Sequence, residues 1–106
     1  MNFHEKVIQI VKQIPYGKVT TYGTIATLAA QPRAARIVGG ILHVSSEKLG
    51  LPWQRVINRH GYISTRCPEH VKLLQKALLE QEGVEVSDDF MVNLRSYGWW
   101  GNVDHS

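Results

Sequence analysis

The residues whose types invite a chemical reading are Trp53 and Gln54, the cations Arg33 and Arg36, and the lone thiol Cys67. A thiol attacks as its thiolate, and a neighbouring base normally helps it ionise. Trp53 and Gln54 supply neither part, because an indole N–H donates without a usable lone pair and a carboxamide is no base at neutral pH. Cys67 has no second cysteine with which to form an intramolecular disulfide or a cysteine-rich zinc site. The five histidines show no spacing that argues for metal, so neither a cofactor nor a metal is expected. Arg33, Arg36, Gly40 and His43 recur at intervals of three and four, which places two cations and a bare patch of backbone on one helical face.

The elements that must carry these residues can be read from periodicity. Phe3, Val7, Ile10, Val11 and Ile14 fall on one face of a first helix, and Pro15-Tyr16-Gly17-Lys18 breaks it as a turn. Val19-Thr20 reads as an extended entry to a second helix capped by Thr21. A third helix is expected to start at Gln31-Pro32, after a linker of about three residues, with Ala34, Ile37, Val38, Ile41 and Leu42 as its apolar side. Two helices so joined suggest a helix-turn-helix. His60-Gly61 then separates two apolar-rich pieces as a hairpin, in the place of a wing. Cys67-Pro68 opens a further helix with Val71, Leu74, Ala77 and Leu78 along one side and Gly83 as its stop. A second hairpin pairs Glu85-Val86 with Met91-Val92-Asn93-Leu94, and no internal repeat is seen.

Length and composition bound the remaining choices. With 106 residues, 43% of them hydrophobic, the chain can bury one modest core, so residues 1–106 are expected to form one domain. Twelve Lys+Arg against nine Asp+Glu give a formal charge of +3, a mild lean toward anionic partners that falls well short of a polybasic tail. The N-terminal stretch alternates charged and apolar residues and lacks the uninterrupted apolar run of a signal peptide or membrane span. A cytoplasmic protein without a membrane partner is the expectation. Pattern alone therefore supports a mainly α chain with small β-hairpins, a winged helix-turn-helix DNA-binding domain, and does not name its ligand.

Three segments go further. Val19-Thr20-Thr21-Tyr22-Gly23-Thr24-Ile25-Ala26, Pro32-Arg33-Ala34-Ala35-Arg36-Ile37-Val38-Gly39-Gly40 and Leu51-Pro52-Trp53-Gln54-Arg55-Val56-Ile57 resemble, in order and spacing, the C-terminal DNA-binding domain of the O6-alkylguanine-DNA alkyltransferases. The similarity runs from about Phe3 to Gly83. In that family the last segment holds the alkyl-accepting cysteine followed by histidine, whereas this chain has Trp53 and Gln54. The combination resembles the alkyltransferase-like branch, which binds alkylated guanine without repairing it and passes the lesion to nucleotide excision repair; Tyr97-Gly98-Trp99 resembles the end of members of that branch.

The resemblance implies roles residue by residue. Arg36 matches an arginine that enters the base stack from the minor groove and fills the place of a flipped nucleotide, with small neighbours, among them Ala35 and Gly39, letting the helix approach the groove. Tyr22 matches a tyrosine that crowds the 3′ phosphate of the target nucleotide. Arg33 is expected on phosphate, and Thr21 both caps its helix and touches the DNA backbone. Trp53 inherits the floor of the alkylguanine pocket, Val56 matches a position whose carbonyl accepts from the guanine amino group, and Arg66 stands where the branch typically has a pocket arginine. Glu82 matches the acid of the cysteine-histidine-glutamate relay and keeps a structural role beside Gln54. The implied partners are double-stranded DNA with O6-alkylguanine and nucleotide excision repair proteins, with the chain a monomer. Two other readings stand beside this one. A winged-helix transcription regulator would need more base-reading side chains than Arg33, Arg36, Gly40 and His43 offer. An active alkyltransferase using Cys67 would need a nucleophile displaced to the pocket edge and lacks the histidine partner.

Overall fold

The computed structural model describes residues 1–63 and 68–101. Helix α1 (Phe3–Gln13) starts at a capping box: Asn2 Oδ1 accepts from the Glu5 N–H at 2.8 Å, and the Glu5 carboxylate accepts from the Asn2 N–H. Strand β1 (Thr20–Thr21) runs directly into helix α2 (Tyr22–Leu28), for which Thr21 is the N-cap, its Oγ1 accepting from the Thr24 N–H at 3.1 Å. The expected cap is therefore present.

Helix α3 (Ala35–Leu49) begins later than its sequence suggests. Ala30 adopts a left-handed φ of 67°, and the chain turns through Gln31–Ala34, closed by a bond from the Ala34 N–H to the Gln31 carbonyl, before it becomes helical. Pro32 thus lies in the linker, which is longer than the three residues anticipated. The core side of α3 is formed by Ala34, Val38 and Leu42, whereas Ile37 is 56% exposed.

After a single 3₁₀ turn at Trp53–Arg55 comes strand β2 (Val56–Ile57), paired in parallel with β1 in the register Thr20 to Val56 and Thr21 to Ile57. Successive side chains of a strand point to opposite faces. Accordingly Val56 joins a core with Val7, Val11, Ile25, Val38 and Leu42 beneath α1 to α3, and Ile57 joins another with Val19, Ile63, Leu79, Val84 and Val92. The short strand pair is the seam between the two clusters.

The turn at His60-Gly61 is present, closed between Asn58 and Tyr62, but its flanks do not form an isolated wing ladder. Tyr62 bridges Met91, and Ile63 donates to the Phe90 carbonyl, while β2 is paired with β1. The second hairpin is seen as the antiparallel bridge between Val86 and Val92.

Helix α4 (Glu69–Gln81) is rotated relative to its hydropathy pattern. Its buried residues are Gln75 and Leu79, Val71 and Leu78 are half-buried, Ala77 is exposed, and Leu73 and Leu74 are each about half exposed. Gln75 can occupy the buried face because its amide satisfies two backbone carbonyls, Gln54 O at 3.0 Å and Val56 O at 3.1 Å. A short helix α5 (Leu94–Tyr97) leads into Gly98, which bridges Val19 on the side of β1, while Trp99 packs on the first core. No helix among the described residues is long and apolar enough to cross a membrane.

Candidate nucleic-acid interface

A cleft of about 1250 Å³ opens where the start of α2, the exposed side of α3, the 3₁₀ turn and α4 meet. Tyr22, Ala35, Arg36, Gly39, Trp53 and Gln75 are among its walls. The fold thus brings together four of the residues singled out on α2 and α3 with the tryptophan of the third motif. Tyr22 is placed by the Thr21 cap, and its ring lies against α3 at Gly39, where an added Cβ would sit 3.8 Å from Cε1. Arg36 stands exposed in the first turn of α3, and His43 lies two turns further along the same wall.

Other expected residues are placed elsewhere. Thr21 is buried behind Tyr22, and Arg33 is exposed in the α2–α3 linker without an ion pair among the described residues. Val56 is fully buried behind the wall, and its carbonyl accepts from Gln75 Nε2. Arg66 and Cys67 lie outside the described residues, so neither the pocket arginine nor the alternative nucleophile has a described position.

Beneath the cleft, Glu82 is the centre of a polar network. Its carboxylate, 5% exposed, accepts from Gln54 Nε2 and the Gly17 N–H, each at 2.8 Å, and from Arg55 Nε at 2.9 Å. Burial alone would raise the Glu82 pKa, but the bonds from Arg55, Gly17 and Gln54 outweigh it and hold the carboxyl below its ordinary value. Arg55 also donates to the Ile14 carbonyl and lies over the Tyr16 ring, 5.6 Å from its centroid. The network ties the 3₁₀ turn that carries Trp53 to the end of α1 and the end of α4.

Sequence reasoning missed Gln75 and Arg55. Val71, Gln75 and Leu79 repeat every four residues, a stripe that would have exposed the buried face of α4 had a glutamine been admitted to it. Arg55 gave no such signal, since its partners come from residues far away in the chain.

Chemically the site offers cations and a helix wall to an anion outside, and an aromatic surface within. Among the described residues no group of three or more histidine, cysteine or acidic side chains could hold a metal ion.

The family model for the 6-O-methylguanine DNA methyltransferase DNA binding domain matches residues 2–84 of the chain. The chain belongs to this family. Among relatives of this methyltransferase DNA-binding domain, the DNA base-flipping protein of Escherichia coli K12 is 49% identical over 98 residues, covering 92% of this chain and 74% of its own. Alkyltransferase-like protein 1 of Schizosaccharomyces pombe is 42% identical over 101 residues, with 92% and 94% covered. The crystal structure of S. pombe Atl1 with damaged DNA containing O6-carboxymethylguanine superposes with a TM-score of 0.84 at 42% identity, over 92% of this chain and 94% of that one. Two relatives thus carry names for base flipping or likeness to an alkyltransferase.

Proposed function

We propose that this chain binds double-stranded DNA containing O6-alkylguanine, accepts the flipped base in the cleft beside Trp53 without alkyl transfer, and marks the lesion for nucleotide excision repair. The observation that carries the reading is the pairing of Trp53 on the cleft wall with Gln54 bonded to Glu82, in the motif where the alkyltransferases have cysteine and histidine. An acceptor for the alkyl group and a base to activate it are both missing from that motif. A bulky apolar ring remains, suited to contact with an alkyl substituent.

Arg36, at the head of an exposed wall that includes Ala35 and Gly39, is in position to enter a base stack from the minor groove, and Tyr22 is in position to crowd the phosphate of the rotating nucleotide. Arg33 adds a contact to the DNA backbone, whereas Thr21, buried with its hydroxyl bonded to Thr24, acts only as the cap of α2. Arg66 completes the pocket in this reading, and the chain acts as a one-domain monomer in the cytoplasm. The test is incubation with a duplex bearing a labelled O6-methyl group, followed by mass analysis of both partners. Binding that favours the lesion duplex, with the methyl group left on DNA, is the expected outcome. Stoichiometric methylation of the protein overturns the reading, and its loss in Cys67→Ala would identify the nucleophile.

A further inference from the structure

We propose that the groove beside the second hairpin takes an extended, basic segment of a partner protein, added as a strand along Glu85-Val86-Ser87. The inference rests on the lesion-marking reading for its purpose and supplies a docking surface that the DNA does not use.

The groove, of about 770 Å³, lies between the end of α4, the hairpin and α5. It shares no wall residue with the cleft around Trp53, so a chain with DNA in the cleft keeps these walls available. Val86 and Val92 turn inward to the second core, while Glu85 and Ser87 stand exposed on either side of Val86.

The backbone sets the shape that fits. Ser87 N–H donates to the Met91 carbonyl at 2.9 Å, which makes Val86 and Val92 a pair of the non-hydrogen-bonded kind. In such a pair the N–H and C=O of each residue point away from the other strand. On the Val92 side the outward N–H finds the Gly61 carbonyl at 2.8 Å. Val86 has no such neighbour: among the described residues neither its N–H nor its carbonyl makes a hydrogen bond, and its one bridge is to Val92. The hairpin therefore ends in an unpaired strand edge at a wall of the groove. An edge of this kind is a template for a further strand, which a bound peptide can supply.

Charge selects the peptide. The chain as a whole carries +3, yet Glu80, Glu85 and Asp89 are wall residues and no lysine, arginine or histidine is. Of two lysines near the rim, Lys76 is paired with Asp88 and donates to the Ser87 carbonyl, and Lys18 lies 3.5 Å from the Ser96 carbonyl. Glu80 and Glu85 have no ion pair among the described residues. The phosphate backbone is repelled by such walls, whereas a strand that alternates cations with apolar residues meets carboxylates and the half-buried Met91 and Tyr97.

The probe is the capped hexapeptide Lys-Val-Lys-Val-Lys-Val, titrated into the ¹⁵N-labelled chain without DNA. The Val86 and Ser87 amides should shift saturably. Lys-Pro-Lys-Pro-Lys-Pro, of equal charge but unable to pair as a strand, should bind about tenfold more weakly, and so should Glu-Val-Glu-Val-Glu-Val. Glu80→Gln with Glu85→Gln, both exposed and outside the cleft, should weaken the lysine-valine peptide about fivefold and leave lesion binding unchanged. Equal binding of the proline peptide, full affinity in the folded double variant, or shifts confined to other residues would each overturn the inference. So would shifts at Val86 caused by raising the protein concentration alone, which would assign the edge to a second copy, or by adding undamaged duplex, which would assign it to DNA. Because the peptide titration contains no DNA, failure of the base-flipping reading would leave its result unchanged.

Discussion

Gln54 donates through Nε2 to Glu82 Oε2 at 2.8 Å, so the acid that resembles the last member of a catalytic relay is intact while the residue it orients is an amide. This relationship predicts how reactivity would return. Trp53→Cys alone supplies a thiol with no base beside it, and that thiol should stay near its ordinary pKa of about 8.5 with little thiolate at neutral pH. Trp53→Cys with Gln54→His adds the base, with Glu82 already placed to orient it. Methyl transfer from a labelled duplex should be absent in wild type, slow in the single variant and about 10²-fold or more faster in the double variant. A single variant as fast as the double would show the base to be dispensable.

Glu82 also gives stability a defined dependence on acid. Its folded pKa lies below the ordinary value, so the unfolded chain takes up the proton first as pH falls. The contribution is fully present well above the ordinary glutamate pKa of about 4.3 and is lost as pH drops through the lower folded value. Glu82→Gln should cost about 1–3 kcal/mol at neutral pH and flatten the acid limb of stability, measured by denaturant unfolding between neutral and acidic pH. An acid limb of unchanged slope would place the titrating group elsewhere.

Tyr22 and Arg36 share the cleft wall, whereas Arg33 stands apart in the linker. Tyr22→Ala and Arg36→Ala should weaken binding to O6-methylguanine DNA and abolish the signal of a fluorescent base analogue beside the lesion. Arg33→Ala should lower affinity for damaged and undamaged DNA alike and reduce the salt slope by about one unit, as loss of one phosphate contact requires. Retention of the fluorescence change in both wall variants would exclude extrusion of the base as the route to recognition.

Gly61 and Gly83 both have left-handed backbone, with φ of 88° and 85°, but only Gly61 also faces a wall. An added Cβ there would sit 2.6 Å from the Val92 carbonyl oxygen, whereas nothing lies within 4 Å of one at Gly83. Gly83→Ala should cost about 1 kcal/mol for the backbone conformation, and Gly61→Ala more, about 2–3 kcal/mol or above. Chemical denaturation of the two variants side by side gives the comparison, and equal costs would mean that the strand at Val92 yields freely.

The sequence alone determined the elements whose causes are local: the turn after α1, the Thr21 cap and the stop at Gly83 all follow from residues within one or two turns of each other, whereas the expected pair of cations on one helical face was split, Arg36 standing on α3 and Arg33 in the linker before it. Its three motifs also carried the family and most of the candidate site. The tertiary structure decided what depends on partners distant in the chain. The start of α3 moved past Pro32 because Ala30 and the Gln31–Ala34 turn set the geometry of the linker. Beyond the closure between Asn58 and Tyr62, the flanks of the expected wing paired with β1 and with the 90–92 segment, partners distant in the chain that no local pattern announces. Above all, α4 turned Gln75 inward and left Leu74 half exposed, against its hydropathy, because two carbonyls of the 53–56 segment needed a donor. Hydropathy ranks side chains by their cost of leaving water, and that ranking reverses wherever the fold supplies a buried polar group with its partners.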